Sequence, residues 1–195
     1  MQAPWAAANA HVEQRWGAAL PEGHVIPLPQ ARFVAPLAPE EAEALAEKAP
    51  IDVATEMAAW RPESDGYPRP TARGYAGKIT EFVEQDQQRW LAEDPSALVR
   101  AFRHPTYIAV YVRALGEHAA ELTGSVSAIV DTVELVQGEP WEVVNLGGDE
   151  YDFDQTWTQA SHEAVETLGK LAAAGADFGR DADRLWTLIA IADPP

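Results

Sequence analysis

The stretch Pro105-Thr106-Tyr107-Ile108-Ala109-Val110-Tyr111-Val112-Arg113-Ala114-Leu115-Gly116-Glu117 opens a run of four amphipathic segments that reaches Ala192. In the first, Tyr107, Ile108, Tyr111, Val112, Leu115, Ala119 and Leu122 recur at intervals of three and four, one face of a helix over Thr106–Leu122. Pro105 suits the first turn of a helix, because its missing N–H has no partner there anyway. Gly124 is the expected stop, and Ser125 the expected cap of a second helix over Ser125–Gln137. The stripe of that second helix is Val126, Ile129, Val130, Val133 and Val136. Four valines raise a strand as the rival reading, but the period is helical, not alternating. With only Thr123-Gly124 between them, the two helices are expected to form a tight αα-hairpin.

A third helix is expected over Thr156–Ala173, with Trp157, Ala160, Ala164, Val165, Leu168 and Leu171 inward. Asp154 or Thr156 is its expected cap, and Gly175 its stop. A fourth is expected over Asp181–Ala192, with Ala182, Leu185, Trp186 and Ile189 inward, before Pro194-Pro195 forbids continuation. None can bury its stripe alone, so the four must pack on one another or on a partner.

Working towards the N-terminus, Ser96–Phe102 reads as a short helix capped by Asp94. Ala72–Gln85 reads as a helix with Tyr75, Ile79, Phe82 and Val83 inward and Gly74 and Gly77 open to close helix contact. Arg89–Glu93 adds a turn, Asp52–Trp60 and Glu40–Lys48 are two further short helices, and Arg61–Pro70 is a loop. Five prolines between Pro21 and Pro39 exclude a regular helix there. Val25–Pro29 reads as extended or polyproline-like, and Arg32-Phe33-Val34 as a short edge strand. Pro4–Leu20 is a helix candidate through Trp5, Ala8, Val12 and Trp16. The fold class is therefore all-α, either α-solenoid-like or an irregular bundle of about eight helices with an extended Pro-rich N-terminal arm. The division is 1–38, helix and arm, and 39–195, helical domain. No repeat of fixed period is visible, so any repeat is degenerate.

The chain has 195 residues, no cysteine and a net charge of −17. Disulfides and cysteine-based zinc sites are excluded. There is no apolar run of the roughly 20 residues a membrane span needs, and no signal-peptide pattern, so a soluble, cytoplasmic protein is expected. Between Ala114 and Gly169 there are twelve acids and no Lys or Arg. Such a surface repels nucleic acid. It reads as a solvating face or as a docking face for a basic protein partner, with Glu139, Glu142, Asp149, Glu150, Asp152 and Asp154 as the docking acids. An acidic mimic of DNA that inhibits a nucleic-acid-binding protein is a special case of the second.

The order of features from Arg32 onward resembles a segment of large bacterial proteins of helical-repeat (HEAT/ARM-like) architecture. The shared features are Phe33–Pro39 before an acidic helix, Ala59-Trp60-Arg61-Pro62, and Pro68–Ala76. Pro105-Thr106-Tyr107-Ile108, Asp152–Thr158 and Arg184-Leu185-Trp186 follow. These are packing and capping motifs. The resemblance implies a scaffold, in a chain that is a piece of something longer, and no activity.

Metal chemistry has one candidate constellation. His162 and Glu166 lie one turn apart on one helix face, and His118 and Glu121 offer a similar pair on the first helix. If those helices are neighbours, the four would form a two-His, two-carboxylate site of a metal-dependent helical-bundle enzyme. The solvated polar faces of two acidic helices explain the same residues. The acids of 149–154 suit calcium by type, yet a count from Asp149 or Asp152 finds neither the Gly nor the Glu of a calcium loop. No phosphate loop, nucleophile elbow or Ser-His-Asp pattern is present. The sequence thus points to no cofactor and to a non-enzymatic scaffold or protein-interaction module.

Overall fold

A computed structural model describes residues 37–61, 70–138 and 157–192. Among them are eight α-helices and no strands beyond one isolated bridge. The helices are α1 (Pro50–Ala59), α2 (Ala72–Gln85), α3 (Gln87–Ala92), α4 (Pro95–Phe102), α5 (Pro105–Glu117), α6 (Val126–Gly138), α7 (Trp157–Ala173) and α8 (Ala182–Ala192). Two 3-10 turns, Glu40–Leu45 and Gly179–Asp181, complete them. The fold is all-α. No helix among the described residues is long and apolar enough to cross a membrane. The helix candidate Pro4–Leu20, the proline-rich stretch up to Pro36 and the acids of 139–154 lie outside the described residues.

Local chemistry explains most boundaries. α1, α4 and α5 each begin with proline at the first helical position. Side chains of Thr71, Asp86, Asp94 and His104 accept backbone N–H groups at the starts of α2 to α5. α7 ends at Gly175, whose φ of 85° is the left-handed conformation glycine adopts freely. Ala176 and Gly175 then donate back to Leu171 and Ala172 at 3.0 Å, which satisfies two terminal carbonyls.

α5 is the centre. All of its residues except Arg113 and Glu117 are buried. A helix apolar on all sides needs neighbours on all sides. α7 packs on it most extensively, α2 packs on another side, and α4 touches it. Rings from α1 to α5 meet around Tyr107 and Tyr111. The path runs Trp60–Tyr75 (5.3 Å between centroids), Tyr75–Tyr107 (6.1 Å), Phe102–Tyr107 (6.3 Å), Phe102–Tyr111 (5.5 Å) and Trp90–Tyr111 (6.3 Å). Helices α1, α4, α6 and α8 contact one another in that order, and α2, α5 and α7 do the same.

The expected tight hairpin is not formed. α5 stops at Glu117, and the chain continues to Ser125 through turns in which residues bond three positions back, as in His118 N to Leu115 O and Leu122 N to Ala119 O. α6 packs on α4 and α7 rather than lying along α5. Ala119 and Leu122 stay buried, so the apolar pattern is kept while the backbone changes. Gly124 is not the left-handed stop, since its φ is not positive. Valine-rich α6 is helical, as its period requires.

Two glycines of α2 behave differently from the expectation of close helix contact. A Cβ on Gly74 would lie 2.0 Å from the Leu37 carbonyl oxygen, because the chain at Leu37 crosses over the start of α2. Leu37 O also accepts from Thr71 N at 2.9 Å. Gly77 faces open space. The same substitution should therefore have opposite signs at the two sites. Gly77→Ala should stabilise by about 0.5–1 kcal/mol through helix propensity. Gly74→Ala should destabilise by about 1–3 kcal/mol, because backbone must move. Urea unfolding of the two variants measures both.

Candidate functional site

α5 and α7 are neighbours, as the four-residue metal constellation requires. Its members are nevertheless dispersed. His118 is half-buried at the end of α5, Glu121 is exposed in the following turn, and His162 and Glu166 are exposed on α7. No group of three or more His, Asp or Glu side chains that could hold a metal forms among the described residues. The cause is the crossing itself. Gly116 faces Thr167 and Lys170, so Glu117 rather than His118 meets α7, with Lys170 Nζ 2.6 Å from Glu117 Oε1. Glu166 turns to the same lysine, at 3.4 Å. The docking acids Glu139, Glu142, Asp149, Glu150, Asp152 and Asp154 lie outside the described residues.

The structure assembles a different cluster, on α6 and α8. Ser127, Asp131 and Glu134 follow the helical interval along one stripe of α6. Arg184 reaches across from α8. Its Nη2 lies 2.6 Å from Asp131 Oδ1 and 2.7 Å from Glu134 Oε2, its Nε 2.8 Å from Glu134 Oε1, and its Nη1 2.7 Å from Asp181 Oδ1. The planar guanidinium thus meets Glu134 with two parallel bonds. Ser127 donates to Asp181 Oδ2 at 2.5 Å. These contacts hold the Glu134 carboxyl below its ordinary range, chiefly through Arg184. They do the same for Asp181, through Ser127 and then Arg184. Helical spacing aligns Ser127, Asp131 and Glu134 in the sequence, but nothing there singles out Arg184, which lies farther along the chain from them than Arg113 or Lys170 does.

Beside this cluster, an open groove of about 600 Å³ runs between α4 and α6. Asp94, Arg100, Asp131, Glu134 and Leu135 line it, together with Ser96. Ser96 and Thr132 are buried with their hydroxyl oxygens 3.0 Å apart. Thr132 donates its single proton to Ala128 O at 2.7 Å, so Ser96 donates to Thr132. The lining holds no His, Cys or Lys, and its serine is committed to the packing of α4 on α6. Asp131 and Glu134 in this lining are already paired with Arg184, Arg100 lines the same groove, and no nucleophile stands beside a base there. No family model, curated protein or solved structure matches the chain.

The Arg184 cluster makes a pH prediction. A carboxyl whose folded value is depressed adds stability above its unfolded value and loses it as pH falls through the folded one. The ordinary values here are 4.5 for Glu134 and 3.8 for Asp181. Arg184→Gln should lower the thermal midpoint by a few degrees at pH 7, and its deficit relative to the parent should shrink as pH falls below about 4. Thermal unfolding followed by circular dichroism across that range measures the difference.

Proposed function

We propose that the chain is a non-enzymatic α-helical scaffold, solenoid-like in build, that binds a basic protein partner through its acidic surface. The observation that carries the solenoid part is the pair of helix rows. Contacts run α1–α4–α6–α8 and α2–α5–α7, and alternate helices along the chain fall into alternate rows once short α3 is set aside. Stacking of that kind is how helical repeats bury faces that no single repeat can bury. Helix starts at Pro50, Pro95, Val126 and Ala182 are unevenly spaced, which agrees with a degenerate repeat. A segment of a larger helical-repeat protein is the origin we favour.

The charge supports the choice of partner. Of the twelve acids between Ala114 and Gly169, Glu117 and Glu166 are paired with Lys170, and Asp131 and Glu134 with Arg184. Six others cluster in sequence at Glu139, Glu142, Asp149, Glu150, Asp152 and Asp154. An acidic block of that size, with no Lys or Arg within it, attracts a basic protein over a Debye length of about 8 Å at physiological salt and repels nucleic acid.

The test is capture of partners from lysate by the tagged chain, in parallel with a variant carrying Gln or Asn at those six positions. The proposal expects a stoichiometric basic protein that is retained by the parent, eluted by salt and lost, by at least about tenfold in yield, with the neutralised variant. Retention of the same protein by the neutralised variant at high salt would contradict it.

A further inference from the structure

We draw no further inference here: the strongest candidate, the open groove between α4 and α6, carries nothing, because Asp131 and Glu134 on its wall are paired with Arg184, Ser96 is committed to Thr132, and nothing in the structure shows what covers it.

Discussion

A glycine at the next-to-last position of α5 lets α7 approach within side-chain contact of the α5 backbone. A Cβ at Gly116 would stand 2.9 Å from Thr167 Oγ1. That closeness allows Thr167 to donate across the crossing to Val112 O at 2.7 Å, besides lying 3.0 Å from Glu163 O in its own helix. A buried hydroxyl without a partner costs roughly 1–3 kcal/mol, and Thr167 avoids that cost through two carbonyls, its own helix's Glu163 O and, across the crossing, Val112 O at the shorter distance. The rest of the architecture depends on it. With α7 seated on α5, the chain between Glu117 and Val126 must carry α6 elsewhere, and α6 comes to rest between α4 and α7. α8 then closes on α6 and α7 through Leu185, Leu188 and the Arg184 cluster.

Much of this was legible in the residues, and the parts that were not share a cause. Helix α2 occupies the residues its pattern predicts, and α4, α6, α7 and α8 start or end within one residue of expectation. Period, proline and capping residues are local signals, and the chain obeys them. The hairpin failed because a Thr-Gly pair shows where a chain can turn, while which helices then pack together is decided by distant surfaces such as Gly116 and Thr167. Trp186, expected inward, is instead 68% exposed, and Leu188 is buried in its place, for a related reason. Apolar residues at 182, 185, 186 and 189 fit one stripe almost as well as 182, 185, 188 and 189 do, and only packing on α6 and α7 selects between them. The metal constellation assumed that neighbouring helices bring their polar faces together. In fact a small-residue contact occupies the crossing, and the polar residues are left at its rim.

The acidic character of the chain takes on structure through its few bases. Lys170 and Arg184 each serve more than one carboxylate, and each ties a later helix to an earlier one. Lys170 and its acids are partly exposed, and surface pairs of that kind contribute little to stability. Arg184 with Asp181 is the more consequential, because Asp181 is 4% exposed and its carboxylate needs both Ser127 and the guanidinium. Pairing of this sort fixes the position of α8.

Native-state hydrogen exchange tests the central claim, that α5, buried except at Arg113 and Glu117, is the element on which the others are stacked. The account predicts that amides of Ile108 to Gly116 exchange only through global unfolding and are the slowest in the chain, while those of α8 exchange by a cheaper local opening. Exchange in α5 as fast as in α8 would contradict it.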